Sequence, residues 1–136
     1  MSAPDDPSCS HHIDVGHRLA YIKLYGNVEG SSVASCVRAL RADPEWDDAF
    51  DVIWDERDVT VFDITPSGLD EMVDAQTSGQ TGHDIVVSSR RSRDQILELY
   101  AMRTRARGRP ARVCTTLDDA LDALGLSGLP VDLRLA

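Results

Sequence analysis

The chain has 136 residues and a mass of 14.9 kDa, enough for one domain with a single hydrophobic core. With 42% hydrophobic and 27% charged residues it is typical of a globular protein, which excludes collagen-like and wholly disordered classes. Its apolar runs are only a few residues long and its net charge is −9, so we expect neither an integral membrane segment nor nucleic-acid binding.

The cysteines and the first residues indicate where the protein resides. Cysteines 9, 36 and 114 lie far apart and form no CxxC motif, so we expect free thiols and a reducing compartment. The N-terminus is acidic and proline-rich, without the basic and apolar regions of a signal peptide. We therefore expect a cytoplasmic protein with a disordered lead at 1–11, a domain at 12–126 and a tail at 127–136.

The first predicted elements are a β-hairpin and a helix. Residues 18–25 are rich in β-formers and indicate the main strand of a hairpin within residues 11–28. Apolar residues at the spacing i, i+3, i+4 and i+7 then predict a helix at about 31–42. Ser31 and Ser32 are its candidate N-caps.

The rest of the chain alternates strands and helices. The run Val52-Ile53-Trp54 lacks alternation, which indicates a strand covered on both faces. Thr65 as N-cap and Pro66 as first residue predict the start of the second helix. This pattern predicts an α/β fold with a mixed central sheet, an N-terminal hairpin and four helices, in the order ββαβαβαβα. The later predicted elements are a strand at 50–55, a helix from 65, a strand at 84–88, a helix at 94–107, a strand at 111–114 and a helix from 116.

Several stretches resemble the SpoIIAA-like domains, a group related to STAS and CRAL-TRIO lipid-transfer domains. GNVEGSSVASCVRAL resembles their first helix after a strand-end glycine, and DVIWDERDV resembles a central strand that runs into an aspartate, here Asp55. FDITPSGLDEMV resembles the start of their second helix, and residues 83–124 resemble the end of the domain, with Tyr100 near the middle of the third helix. The resemblance covers residues 12–126. It implies a SpoIIAA/STAS-like fold and a non-enzymatic binding or regulatory module without cofactors.

Ser67 is a candidate phosphorylation site because of this resemblance. In anti-sigma-factor antagonists, a serine in an Asp-Ser-Ser-Gly turn at the start of this helix is phosphorylated by a partner kinase. Here the Ser67-Gly68 pair is kept, but Thr65 and Pro66 alter the turn before it. The resemblance therefore implies, as an alternative function, a regulator switched at Ser67. Helix-capping rules favour a simpler interpretation, in which Ser67 occupies a solvated first turn.

A basic segment interrupts the acidic chain. Residues 90–112 contain eight arginines against two acidic residues, whereas residues 1–89 contain five basic and seventeen acidic residues. The first three of these arginines follow a predicted strand and precede a helix start, which is the usual ligand side of a parallel sheet. The alternative is a basic surface neutralised by acids of the same fold. The predicted site for a protein partner or an anionic amphiphile comprises Ser88, Ser89, Arg90, Arg91, Arg93 and Tyr100.

Histidines and carboxylates give weaker signals. The three histidines between positions 11 and 17, with Cys9 nearby, lack the HxH, HxxxH or CxxC spacing of metal ligands, so no metal site is predicted. Asp55, Glu56 and Asp58 lie at the predicted end of the central strand, where paired carboxylates can support acid–base chemistry or Mg²⁺ binding. No nucleophile motif accompanies them, and we expect them to bind loop amides; no catalytic residue is predicted.

The tail at 127–136 alternates apolar and polar residues. Val131, Leu133 and Leu135 fall on one side of an extended chain, which is typical of an edge strand. We therefore predict a homodimer formed by strand addition, whose stability depends on the tail more than on salt.

Overall fold

The computed structural model describes residues 9–88 and 94–126. Its element order confirms the predicted α/β class and the order ββαβαβαβα. Within these residues, no helix is long and apolar enough to cross a membrane. The strands are β1 (Cys9–Asp14), β2 (Leu19–Glu29), β3 (Asp51–Asp63), β4 (Asp84–Val87) and β5 (Ala111–Cys114), and the helices are α1 (Gly30–Arg41), α2 (Pro66–Thr77), α3 (Asp94–Ala106) and α4 (Leu117–Ala123).

The five strands form one mixed sheet in the order of the chain. β1 pairs antiparallel with β2, as predicted for the hairpin, and the pairs β2–β3, β3–β4 and β4–β5 are parallel. Since each parallel strand is added on the same side, right-handed crossovers place α1, α2 and α3 together on one face of the sheet. α4 follows the last strand and packs on the opposite face.

The sheet is covered on both faces, with cores of different size. The larger core lies under α1, α2 and α3 and includes Trp54 and Leu97. The smaller core, on the α4 side, includes Ile53 and Ala120. Val52, Ile53 and Trp54 are all buried, which confirms that the central strand is covered on both faces.

β2 and β3 are longer than predicted. The predicted ends were Tyr25 and Asp55, whereas the two strands stay paired as far as Glu29 and Asp63. Two register shifts interrupt the pairing, and Gly26 adopts a φ of +72° beside one of them. That backbone conformation suits glycine, so the residue that indicated a strand end is a bulge within the strand instead.

The extra length forms an arm beyond the rest of the sheet. β4 and β5 end at Val87 and Cys114, which lie level with Asp55. We call the paired segments 24–29 and 56–63 the β2–β3 arm. The carboxylates predicted at the end of a strand therefore lie inside β3 or on the arm.

The helix starts agree with the sequence only in part. Thr65 caps α2 as predicted, since its hydroxyl accepts the amide of Gly68 at 3.0 Å. The predicted serine caps of α1 are wrong, because Glu29 is the N-cap. The hydroxyl of Ser32 instead accepts the Glu29 amide at 3.2 Å, so this serine acts from inside the first turn.

Cys9 and Cys36 form a disulfide bond, so the expectation of free thiols is wrong for this pair. β1 begins at Cys9, and residues 9–11 belong to the sheet rather than to a disordered lead. The bond joins this edge strand to the buried stripe of α1 across a sequence separation of 27 residues. Only the folded hairpin brings the two cysteines together, and the cysteines no longer support a reducing compartment. Cys114 is a buried free thiol.

Candidate functional site

Four arginines of the basic segment bind groups within the fold, and one of them, Arg105, donates to the carbonyl of Ala111 at 2.8 Å. Arg103 pairs with Asp70 at 2.7 Å, and Arg107 pairs with Asp74. Both pairs join α3 to α2. Arg109 is buried and makes polar contacts inside the molecule. For Arg103 and Arg107, the interpretation as a basic surface neutralised by acids of the same fold is the one that fits.

The other predicted site residues fall into two groups. Ser88 is buried after β4, and its amide donates to the carbonyl of Cys114 at 2.9 Å. Tyr100 is buried in the larger core, where its hydroxyl donates to Asp84. The structure therefore places these two residues inside the molecule rather than on an exposed ligand surface. Ser89, Arg90, Arg91 and Arg93 lie outside the described residues.

A buried polar cluster, the Asp84 cluster, surrounds the start of β4. It consists of Asp84, Tyr100, Arg109 and Gln76. Arg109 donates to the carbonyls of Gly82 at 2.9 Å and Gln76 at 2.5 Å, and its guanidinium lies 3.8 Å from the Asp84 carboxylate. Burial raises the pKa of Asp84, although the charge of Arg109 opposes this. Burial also raises the pKa of the Tyr100 hydroxyl well above its usual value.

A cavity beside this cluster has room for about one water molecule. It lies between the sheet and α3, with Trp54, Met72 and Leu97 among its walls. The indole N–H of Trp54 is buried and has no acceptor among the described residues. A single buried water would satisfy that N–H group.

A second polar cluster, the Asp55 cluster, lies on the α4 face of the sheet. It consists of Tyr21, Asp55 and Arg57. Arg57 donates to the Asp55 carboxylate through Nε at 2.8 Å and a terminal nitrogen at 2.6 Å, and its amide donates at 3.1 Å. The Tyr21 hydroxyl donates to the same carboxylate. Burial alone would raise the pKa of Asp55, but the hydrogen bonds from Arg57 and Tyr21 lower it overall.

The prediction that Asp55, Glu56 and Asp58 bind loop amides is therefore only partly right. Asp55 does accept a backbone amide, but its other partners are side chains. Asp58 pairs with Lys23 of β2 at 2.9 Å rather than with a loop amide. Glu56 is buried on the opposite side of β3, in the wall of the water-sized cavity.

Three of the four histidines pair with single aspartates. Among residues 9–88 and 94–126, no group of three or more His, Cys, Asp or Glu side chains has an arrangement that could hold a metal ion. The pairs are His11 with Asp43 at 3.0 Å, His17 with Asp14 at 2.7 Å and His83 with Asp51 at 3.1 Å.

An open pocket of about 280 Å³ lies where the β2–β3 arm ends and α1 and α2 begin. Glu29 and Asp63 face each other in the register of the paired strands, so the two strand ends bring two carboxylates side by side. Glu71 adds a third from the second turn of α2. We call this the acidic pocket; its lining is Glu29, Gly30, Ser31, Asp63, Thr65, Ser67, Gly68 and Glu71.

Two glycines allow the helix starts to meet beneath the acidic pocket. A Cβ atom on Gly30 would lie 2.5 Å from the carbonyl oxygen of Gly68, closer than packed atoms approach. Any larger residue at position 30 would therefore force the two helices apart. The pocket owes its shape to this close approach.

The charge of the acidic pocket is negative. Its three carboxylates are exposed, and no lysine or arginine of the described segments forms a salt bridge with them. Each helix N-terminus contributes roughly half a positive charge, which leaves a net charge of about −2. The carboxylates therefore outweigh the two helix dipoles, and the electrostatic field of the pocket favours a cation.

Ser67 lies on the rim of this pocket. Its side chain is exposed, and its hydroxyl is 3.2 Å from that of Thr65. A phosphate would add roughly −1.5 to −2 charges to a site that is already negative. The geometry matches the simpler interpretation, in which Thr65 caps α2 and Ser67 occupies its solvated first turn.

Sequence reasoning found Ser67 but missed the acidic pocket. Glu29 and Asp63 are far apart in the chain and meet only because β2 and β3 are parallel and longer than predicted. The available signal was weak: an acidic residue stands shortly before each of two predicted helix starts. No family model matches the chain, and no curated protein matches it at a significant level.

Proposed function

We propose that this protein is a non-enzymatic binding module that recognises a protein partner through the acidic pocket. The observation that carries the proposal is the convergence of Glu29, Asp63 and Glu71 at two helix starts, without a cation from the described segments. The carboxylates do not form a metal-binding group. A lysine or arginine side chain of a partner supplies the donors and the charge that exposed carboxylates pair with.

The sizes of the acidic pocket and of the cavity under α3 favour a protein over the anionic amphiphile as the partner. The acidic pocket is open at the surface, where side chains of another protein have access. The cavity between α3 and the sheet accommodates about one water molecule, far too little for an acyl chain. Arg90, Arg91 and Arg93 follow Ser88 in the chain, and we propose them as a second contact, of opposite charge.

The acidic pocket contributes orientation and association rate more than affinity. Exposed ion pairs contribute about 0–1 kcal/mol each, so three carboxylates supply at most a few kcal/mol. Attraction between opposite charges also accelerates encounter and weakens as salt increases. We therefore expect a salt-sensitive complex whose remaining affinity comes from contacts around the pocket.

Three defined probes test this function with the isotope-labelled full chain. The probes are a lysine- and arginine-rich peptide, an aspartate- and glutamate-rich peptide of equal length, and phosphatidylglycerol vesicles. We expect the basic peptide to shift the amide resonances of Gly30, Ser31 and Gly68. A response of these amides to the vesicles or the acidic peptide, but not to the basic peptide, would overturn the proposal.

A matched pair of variants separates the pocket from general acidity. Asp63→Asn/Glu71→Gln removes two pocket carboxylates and should weaken binding of the basic peptide about three- to tenfold. Glu98→Gln removes one exposed carboxylate on α3, outside the pocket, and should leave binding unchanged. Equal losses in both variants would show that the peptide senses only the net charge.

The alternative function is regulation by phosphorylation of Ser67, as in anti-sigma-factor antagonists. It is supported by the exposure of the Ser67 side chain on the rim of the open pocket. Phosphorylation would roughly double the negative charge of the pocket and change its attraction for a basic partner. Phosphopeptide mapping of protein from its native cells tests this, with Ser67→Ala as the variant and Ser31→Ala as the control. Absence of phosphate on Ser67 in all growth phases would exclude it.

A further inference from the structure

The two edge strands of the described sheet are held in different ways. β5 is a short strand that lies between α3 and α4 in the chain. β1 pairs with β2 along its whole length, and the Cys9–Cys36 bond also ties it to α1. The tail at 127–136, which was predicted to form a further edge strand, lies outside the described residues. Among the described strands, β1 is therefore the one with a covalent cross-link.

β1 contributes few side chains to the two cores of the sheet. Ile13 is its buried residue, and Cys9 packs at the margin of the larger core. Within the described part of the chain, the smaller core contains no residue of β1. The strands from β2 to β5 and their helices can therefore keep their cores when β1 separates, because an edge strand with few buried contacts opens more readily than a central strand.

We propose that the Cys9–Cys36 bond is a redox latch, which holds β1 in the sheet until a dithiol reductant opens it. Cys36 lies on the buried stripe of α1, so the intact bond fixes the start of β1 to a helix that is packed on the sheet. A second link is the contact of 3.0 Å between His11 of β1 and Asp43, which follows α1. Both of these side chains are partly exposed, and one such hydrogen bond contributes far less than the covalent bond. Reduction therefore removes the stronger of the two links.

Opening of the latch is an ordinary thiol–disulfide exchange with a dithiol. Cys9 is partly exposed and Cys36 is buried, so a thiolate of the reductant attacks the sulfur of Cys9. The disulfide bond breaks, and the Cys36 sulfur leaves as a thiolate and takes up a proton. The second thiol of the reductant then displaces Cys9 from the mixed disulfide. The protein gains two electrons and two protons, and the reductant is oxidised to its own disulfide.

Opening of the latch changes the edge of the sheet. β1 covers β2 from Leu19 to Leu24, according to the register of the hairpin. When β1 separates, the backbone amides and carbonyls along that stretch lose their partners on one side. The sheet then ends at β2, whose open edge is free to pair with water or with another strand. The redox state of the bond therefore selects which of two strands forms the edge.

Hydrogen exchange of the full chain, before and after treatment with dithiothreitol, tests this inference. Without denaturant, reduction should release the two thiols of the bond and accelerate exchange in β1, and at the β2 amides that bond to it, by about a hundredfold. Exchange in β4 and β5, around Ile85 and Val113, should stay unchanged. Reoxidation should restore slow exchange in β1.

Two variants provide matched controls. Cys9→Ser/Cys36→Ser has no latch and should exchange like the reduced chain, with or without dithiothreitol. Cys114→Ser changes the buried cysteine outside the bond and should keep the response to dithiothreitol. The reduced native chain decides the outcome even where the double variant fails to fold.

Three results would overturn the inference. The bond of the folded chain may resist dithiothreitol, so that no further thiols are released. β1 may keep its slow exchange after reduction, which would show that the bond does not hold the strand. β4 and β5 may lose protection together with β1, which would show that the bond stabilises the whole fold instead of latching one strand.

Discussion

Each face of the sheet contains a buried cluster of a tyrosine, an aspartate and an arginine, and the two differ in electrostatics. In the Asp55 cluster, two guanidinium nitrogens lie 2.6 and 2.8 Å from the carboxylate. In the Asp84 cluster, the guanidinium is 3.8 Å away and binds the carbonyls of Gly82 and Gln76. The pKa of Asp55 is accordingly lowered, and that of Asp84 is raised.

The comparison shows that residue types alone do not determine the charge state of a buried aspartate. Burial raises the pKa of both carboxylates, and direct hydrogen bonds from a guanidinium reverse this effect only for Asp55. The side chain of Arg57 is 41% exposed, whereas that of Arg109 is 1% exposed. The Asp55 cluster therefore joins a buried carboxylate to a partly exposed guanidinium, whereas the Asp84 cluster is a fully enclosed polar network.

Replacement of the arginine in each cluster should give the largest difference in stability between the Asp84 cluster and the Asp55 cluster. Arg109→Ala leaves two buried carbonyls without their donor and a buried carboxylate without its neighbouring cation, and we expect a loss of about 3–5 kcal/mol in the free energy of unfolding. Arg57→Ala opens the Asp55 carboxylate to water, which limits the loss to about 1–3 kcal/mol. Urea denaturation measures both, with Arg112→Ala as an exposed control. An equal or larger loss of stability for Arg57→Ala would contradict the conclusion that the Asp84 cluster is the more enclosed of the two.

Removal of the tyrosine hydroxyls should give a smaller difference in stability, again with the larger loss in the Asp84 cluster. In Tyr100→Phe the buried Asp84 carboxylate loses a direct hydrogen bond, and we expect a cost of about 1.5–3 kcal/mol. In Tyr21→Phe the Asp55 carboxylate keeps its three contacts with Arg57, so the cost should be about 0.5–1.5 kcal/mol. Thermal unfolding ranks the two variants by their loss of stability. A larger loss for Tyr21→Phe than for Tyr100→Phe would refute the distinction between the two clusters.

The two aspartates should produce opposite slopes of stability against pH. Because the pKa of Asp84 is raised in the folded state, its contribution to stability decreases as the pH rises above about 3.8 toward the folded pKa. Because the pKa of Asp55 is lowered, its contribution is present above about 3.8 and is lost as the pH falls through the folded pKa. Asp84→Asn should remove the first slope, and Asp55→Asn the second. Identical pH profiles for the two variants would be inconsistent with this assignment.

Local patterns in the sequence predicted the elements, and contacts between distant residues decided the rest. The cap at Thr65 and the helix expected at 94–107 depend on neighbouring residues, and both are confirmed. Tyr100 lies within that helix, but its partner Asp84 looks like an ordinary first residue of a strand. A hydroxyl that was expected to meet a ligand is therefore used within the core.

Strand pairing created the features that the sequence did not indicate. The Cys9–Cys36 bond requires the edge strand to lie against α1, and the meeting of Glu29 and Asp63 requires two parallel strands of extra length. Gly26 illustrates the difficulty, because glycine is common both at strand ends and in bulges. Only the partner strand distinguishes the two, and its register is not a local property.

Site-specific photo-crosslinking in the native cell tests the proposed function most directly. A photoreactive amino acid at Ser31 lies on the rim of the acidic pocket, and one at Met102 lies on the exposed side of α3, outside it. We predict a discrete protein adduct from position 31 that disappears with Asp63→Asn/Glu71→Gln and is absent from position 102. No adduct at position 31, or the same adduct from both positions, would contradict recognition of a protein partner by the acidic pocket.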